Sequence, residues 1–305
     1  VQHRSPALDT ATMQAVVSGS LEIRMAGMAC RLSDNISSAS ELWASLYLQE
    51  YHLTLSAPHR WQQVCKGAPA ALLSGAFLAA DLADSLAREH GGFAAAEAKQ
   101  LDIHIQLLLD TCSEASQDAG TAAKLTQAGV FTACQPSDFP ANIPGFNVAR
   151  SVAAGLHTAG LHCNQDFACS SGYLATHHAM QALQAAKCSA AFVAGVSLLL
   201  KPDSPRGLYM MGVLSPSGRM RPFDTAADGM VWGEACTALV LITPSPDGAS
   251  HPALLGSATS TNNALSPAGF VASDGIAQAA AHSFRVANIA LTQLVLTHPH
   301  GMGNP

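Results

Sequence analysis

The sequence predicts an α/β fold around a buried mixed sheet, and three observations carry that expectation. The chain has 305 residues, 49% hydrophobic and only 12% charged, enough to close a large core in one big domain or two. Two short runs, AAFVAGVSLLL (190–200) and CTALVLITP (236–244), are almost wholly apolar, the pattern of strands covered on both faces. Stretches with helical spacing lie between and around such runs, so strands alternate with helices.

Taken in order, residues 1–21 mix Ser, Thr, Ala and Gln without strong period and read as a leader or linker. SLEIRMAGMAC (20–30) predicts a first strand. SSASELWASLYLQ (37–49) carries helix-start serines ahead of apolar residues spaced by three and four. Residues 95–120 form a long amphipathic helix for which Gly120 supplies the C-terminal stop. A strand follows at 123–134, a small-residue helix at 170–187 and the apolar strand at 190–200. The Gly-, Pro- and Asp-rich loop SPSGRMRPFDTAADGMVWGEA (215–235) leads into the apolar strand at 236–244. Further strands are expected at 252–261 and from 291 into a final loop, with a helix at 274–289 between them.

Composition excludes several functions. The net charge is −6 and no basic stripe is present, so nucleic-acid binding through phosphate contacts is not expected. The longest apolar run (190–200) is shorter than the ~20 residues a membrane helix needs. With no signal peptide legible, the expected location is cytoplasmic. The first residue is Val1, which suggests a piece of something longer. The eight cysteines, at 30, 65, 112, 134, 163, 169, 188 and 236, contain no CxxC pair and no histidine pattern completes a zinc site, so reduced thiols and no metal are expected.

One cysteine has unusual neighbours. In QDFACSSGYLATHHAM (165–180), Cys169 stands between Ala168 and Ser170, directly before an Ala/Leu-rich helix. A turn there would leave it at or just before the first helical turn, where exposed N–H groups and the helix dipole favour negative charge on sulfur. The small neighbours would let a substrate carbonyl approach, and the Cys169 N–H would help hold a developing oxyanion. On local composition alone the plainer reading is a buried cysteine in a tight strand-to-helix turn with the serines as caps. Glu234, Asp224 and Asp228 in the long loop read better as carboxylates that accept backbone N–H bonds than as acid/base groups. SPSG (215–218) reads as a turn, and His162, His177 and His178 as structural.

The rest of the chain shifts that balance. Residues 166–200 resemble the active-site segment of β-ketoacyl synthases, above all the ketosynthase domains of polyketide synthases and animal-type fatty acid synthases. Residues 212–241 resemble that family's second long signature, MAGMACRLSDNISSASELWASL (25–46) its opening segment, LDIHIQLLLDTCSEASQDAG (101–120) its long dimer-side helix, and HPHGMGNP (298–305) its histidine loop. The five segments stand in the family's order. The resemblance implies a thiolase-like layered fold (αβαβα) of two duplicated α/β halves, with the second half cut short: residues 22–245 would be the N-terminal ketosynthase half, and 246–305 the start of the C-terminal half.

It further implies that Cys169 accepts an acyl group from an acyl carrier protein and that His300 is the first of two catalytic histidines, which promote decarboxylation of a malonyl thioester and the carbanion's attack on the acyl-cysteine. No cofactor is implied beyond the carrier's phosphopantetheine, and the implied partners are the carrier protein, a second copy in a homodimer, and flanking synthase domains. The sequence departs from the family at Phe167 and Gly172, where Thr and Ser are usual, at Met302 and Asn304, and in LDIHIQ (101–106). LHCNQD (161–166) is more polar than a buried strand favours. A polypeptide of this extent is expected to expose apolar surface. Two other functions remain open: a non-catalytic ketosynthase-like partner or remnant that dimerises or shapes a chain-length tunnel, which in this family usually lacks the cysteine, and a thiolase or starter-unit ketosynthase.

Overall fold

The structure, a computed structural model, describes residues 22–33, 36–50, 52–53, 61, 68–78, 101–120, 125–135, 147–243, 251–260 and 273–301. The expected leader (1–21), Cys65, the start of the long helix (95–100), the boundary near 245, and Met302 and Asn304 lie outside the described residues. In chain order the elements are β1 (Ile23–Arg31), α1 (Ala39–Leu48), α2 (Ala70–Leu73), β2 (Gly75–Ala76), α3 (Ile103–Asp118), β3 (Gly129–Cys134), α4 (Val148–Gly155), β4 (His162–Gln165), α5 (Ser171–Gln184), β5 (Ala190–Ser197), α6 (Asp203–Met210), β6 (Trp232–Gly233), β7 (Ala235–Ile242), β8 (Ala253–Leu254) and α7 (Ser273–Ala287).

A six-stranded mixed sheet runs in the order β4-β3-β5-β7-β1-β8. β3 pairs in parallel with β4 and β5, while β5–β7, β7–β1 and β1–β8 are antiparallel. Helices cover both faces. On one, Ile105, Leu108, Cys112 and Ala115 of α3 and Ala149 and Val152 of α4 pack on Val130, Phe192, Ala238 and Val240. On the other, Ala175, Ala179, Met180 and Leu183 of α5 pack on Phe131, Val193 and Leu241. The period-2 alternation of the strands therefore feeds two cores, which is why β3, β5 and β7 read as nearly continuous apolar runs.

Local chemistry sets the helix ends. The Asp102 carboxylate accepts the His104 N–H at 2.9 Å and caps α3. At the other end Gly120, with φ +61°, follows C-cap Ala119, so the glycine lies where a left-handed residue closes the helix. Ser38 caps α1 by accepting the Glu41 N–H at 3.2 Å, and Glu41 returns to the Ser37 N–H at 2.7 Å.

The helix α3 lies almost directly on β1. A Cβ added at Gly27 would stand 2.2 Å from Ala115 O and 2.6 Å from Ala119 N, both backbone atoms that cannot rotate away. Gly27→Ala is accordingly expected to cost about 3 kcal/mol, at the upper end of overpacking penalties. A drop in the urea midpoint checks this, and an unchanged midpoint would show that α3 can lift off the sheet.

Several features differ from the sequence expectation: the strand expected at 252–261 is reduced to Ala253–Leu254, and the long helix starts only at Ile103, where Asp102 caps it. The polar stretch before the cysteine is a strand after all: β4 occupies a sheet edge, so His162 and Cys163 face solvent. Its Asn164 is satisfied by Thr132 Oγ1, at 2.7 Å, and by Cys134 O, at 2.9 Å. α4 and α6 are additional helices, each eight residues long and too short to show a helical period. The strand expected from 291 is instead a single 3₁₀ turn, Leu291–Gln293, followed by an exposed irregular segment to His300. Pro299 lacks the N–H that a ladder requires, and no described strand pairs with this segment. Large apolar side chains do stand exposed, among them Trp43, Leu46, Tyr47 and Leu48 on α1.

Candidate active site

The parallel strands β3 and β5 end side by side, and their C-terminal ends form the floor of a cavity of about 460 Å³. Ligands in open α/β sheets bind at this end, because the loops diverge there and helix N-termini point toward it. Cys134 and Gln135 come from the end of β3, Val196 to Leu199 from the end of β5, and Met230 to Gly233 from the loop before β7. Ala168, Cys169, Ser171 and Gly172 complete one wall.

Cys169 sits in a sharp elbow between β4 and α5. Helix α5 begins at Ser171 with Ser170 as N-cap, so the nucleophile candidate lies directly before the N-cap, as the sequence predicts. Ala168 adopts φ +50°, a left-handed conformation that costs a non-glycine residue roughly 1–2 kcal/mol. Side-chain hydrogen bonds stabilise it. Ser171 Oγ donates to Ala168 O at 2.7 Å and accepts the Phe167 N–H at 2.8 Å, while Ser170 Oγ donates to Phe167 O at 2.8 Å. The serine side chains therefore do not cap the helix as the plainer reading has them: they fasten the elbow that turns Cys169 toward the cavity, and Cys169 is exposed while five other described cysteines are buried. Strain held at one residue by its neighbours is a feature of functional turns.

The second expected site residue, His300, is exposed in the C-terminal segment and does not line this cavity. Its neighbour Gly301 does touch the long loop: a Cβ at Gly301 would lie 2.5 Å from Pro222 Cβ. The structure therefore attaches the histidine segment to the loop whose far end walls the cavity.

The carboxylates of that loop behave as backbone acceptors. Glu234, 4% exposed, accepts the N–H groups of Leu199 at 2.7 Å and Leu78 at 3.0 Å. Asp224 accepts the Ala226 N–H at 2.8 Å, and Asp228 accepts Ser215 Oγ at 2.6 Å, which holds the Asp228 carboxyl below its usual range. SPSG is a turn closed by Gly218 N to Ser215 O at 3.1 Å.

Two lining residues escape sequence reasoning, His104 and Lys201. His104 is 5% exposed, and its Nδ1 lies 2.8 Å from the Asp102 carboxylate that also caps α3. The only signal for it is the departure LDIHIQ from the family's run. His177, expected to be structural, bonds Ser257 Oγ at 2.8 Å, and desolvation, then His178 and His282, lowers its pKa. Among the described residues no cluster of three or more His, Cys, Asp or Glu is arranged to hold a metal ion, and no helix is long and apolar enough to cross a membrane.

Comparison with known proteins decides the family. The model of the family "Beta-ketoacyl synthase, N-terminal domain" matches residues 21–246. The chain belongs to the β-ketoacyl synthase family. It is 33% identical over 244 residues to a phenolphthiocerol/phthiocerol polyketide synthase of Mycobacterium tuberculosis, covering 72% of this chain and 13% of that protein. It is 32% identical over 241 residues to polyketide synthase ThaG of Burkholderia thailandensis, covering 70% of this chain and 4% of that protein. The synthase chain thus spans a small part of the length of these relatives.

Among solved structures, the ketosynthase from module 6 of the bacillaene synthase of Bacillus subtilis 168 superposes with a TM-score of 0.81 at 24% identity, covering 93% of this chain and 51% of that one. The oxazolomycin ketosynthase domain OzmH KS7 of Streptomyces albus JA3453 gives 0.77 at 23% identity, with 93% and 55% coverage. The thiolase-like layered fold is therefore shown, over about half of each ketosynthase. The three layers seen here, α3 and α4, sheet, α5, are one αβα portion of it.

Proposed function

We propose that this β-ketoacyl synthase chain is the nucleophile-bearing part of a ketosynthase acting in polyketide or fatty acid biosynthesis. The observation that carries the reading is the elbow: Cys169 is exposed on a cavity wall at the mouth of α5, held there by Ser170 and Ser171. Its sulfur attacks the thioester carbonyl of an acyl group carried on the phosphopantetheine of an acyl carrier protein. The carrier's thiol leaves with the proton, and the acyl group stays on Cys169. A malonyl-type thioester then loses carbon dioxide, its enolate carbon attacks the acyl-cysteine, and the Cys169 thiolate departs as the 3-oxoacyl product forms. Splitting the transfer in two in this way lowers each barrier. His300 is assigned the imidazole that stabilises the enolate oxygen, and the Cys169 N–H a donor to the oxyanion.

The enzyme carries no cofactor of its own in this reading. Its partners are the carrier protein, a second copy in a homodimer, and flanking synthase domains, which the much longer polyketide synthase relatives support. A cytoplasmic location is supported by the seven free cysteines among the described residues, which suit a reducing compartment.

Mass spectrometry tests the reading. Incubating the protein with an acyl-pantetheine thioester is expected to add one acyl mass to the peptide containing Cys169, and malonyl carrier protein to discharge it with release of carbon dioxide. Acylation elsewhere, or none, in a folded protein would exclude the enzyme and favour the non-catalytic partner.

A further inference from the structure

The turn at residues 221–224 is closed by the Asp224 N–H donating to Arg221 O at 3.3 Å, and it holds one residue in a strained conformation. Phe223 holds φ +65° although it is not glycine, and its side chain is 77% exposed. Around it the loop is firmly tied. Asp224 accepts the Ala226 N–H at 2.8 Å, Arg221 Nη1 donates to Ala226 O at 3.2 Å, and Ser215 N donates to Met230 O at 2.8 Å. Gly229, at φ +137°, packs so closely on residues 214 and 215 that a Cβ there would meet Ser215 N at 2.5 Å. The loop is therefore a fixed piece of structure, and Phe223 is the strained, solvent-facing residue on it.

One contact uses that conformation. The would-be Cβ of Gly301 meets Pro222 Cβ at 2.5 Å and the Phe223 ring at 2.9 Å (Cε2) and 3.2 Å (Cζ). Pro222 and the edge of the phenyl ring thus bracket a backbone that only glycine lets come so near, and the residue immediately before it is His300. At its other end the same loop contributes Met230, Val231, Trp232 and Gly233 to the cavity that holds Cys169.

We infer that Phe223 is a positioning residue: its left-handed turn and ring edge form the seat that fixes the His300–Gly301 segment on the loop walling the Cys169 cavity. This rests on the role proposed for His300. Without the seat, residues 294–300, all exposed, would have little to hold them on that loop. A misplacement of about 1 Å in such a group costs on the order of 10²-fold in rate.

The test compares Phe223→Tyr, which keeps the ring, with Phe223→Gly, which keeps the left-handed backbone and removes the ring, and with Gly301→Ala and His300→Ala, all in the full-length protein. Two readouts are taken: amide hydrogen exchange of residues 294–301, and malonyl-thioester decarboxylation set against acylation of Cys169. Phe223→Gly and Gly301→Ala are expected to speed exchange in 294–301 and to lower decarboxylation on the order of 10²-fold, with Cys169 acylation within about twofold of wild type. Phe223→Tyr should keep both. Unchanged exchange in Phe223→Gly overturns the seat, as does equal loss of acylation and decarboxylation, which marks general damage to the loop. If instead His300→Ala decarboxylates normally while Phe223→Gly still speeds exchange, the seat stands and the role given to His300 falls.

Discussion

Cerulenin, an electrophile with an acyl-like tail, is expected to modify Cys169 and no other described cysteine, whereas the small reagent iodoacetamide should modify Cys169 and Cys163. Both thiols are exposed, but only Cys169 lines the cavity; Cys163 stands on the edge strand β4. A reagent that needs a cavity for its tail therefore separates two cysteines that a small one cannot. The buried thiols are silent for a second reason. Desolvation pushes Cys134 and Cys236 up to about 12, and Cys112 is raised well above its ordinary value. The thiolate is the nucleophile, so raising the pH to 9 leaves these three protonated and unreactive. Cys134 is the informative member, because it lines the same cavity as Cys169 and yet is buried and protonated. Peptide mapping after brief exposure checks this. Labelling of Cys163 by cerulenin as fast as Cys169 would mean that the cavity does not admit an acyl chain. Cys169→Ala should abolish both cerulenin modification and acyl loading, a loss on the order of 10³-fold or more, as for other removed nucleophiles.

The second large effect concerns stability. Glu234→Ala is expected to lower unfolding free energy by about 2–6 kcal/mol, because two buried backbone donors lose their acceptor. The carboxylate accepts the backbone N–H groups of Leu199, beyond the end of β5, and Leu78, beyond β2, so two loops lose their shared acceptor at once. Each buried donor left without a partner costs about 1–3 kcal/mol. Glu234 N also donates to Ala76 O at 2.7 Å, and Trp61 Nε1 to Leu199 O at 3.1 Å, so the neighbouring contacts depend on the same junction. Glu234→Gln, which keeps one acceptor oxygen, should lose less. Urea unfolding of the three proteins checks the order. A Glu234→Ala protein of full stability that had lost only catalysis would return the residue to an acid/base role.

Much of the scaffold was legible because the sheet is covered on both faces. Burial on two sides favours apolar residues at successive positions, and β5 and β7 display that apart from the exposed Ser197 and Thr237. α3 and α5 were legible from their periodic small and aliphatic residues, and Gly120 from its place after the last helical turn. The elements that went unread have weak or contrary signals. β4 is polar because it is an edge, and whether a strand is an edge depends on the order of strands in space. α4 and α6 are eight residues each, two turns, in which Ala, Gly, Ser and Pro mask any period. The segment after 291 has the apolar residues of a strand, Leu294, Val295 and Leu296, and all three are exposed, because a strand needs a neighbour as well as a composition.

The amino-acid sequence by itself pointed to the candidate nucleophile Cys169, its place just before a helix and the run of buried strands, since all of these depend on residues within a few positions of one another. Only the tertiary structure decided what shares a cavity with Cys169. His104, Lys201 and Trp232 come from segments scattered over the chain and meet because β3 and β5 end together. Likewise only the fold shows that Phe223, unremarkable in a polar loop, touches Gly301. Spacing along a chain specifies the local turn, whereas proximity between distant segments follows from which strands pair and which helices cover them.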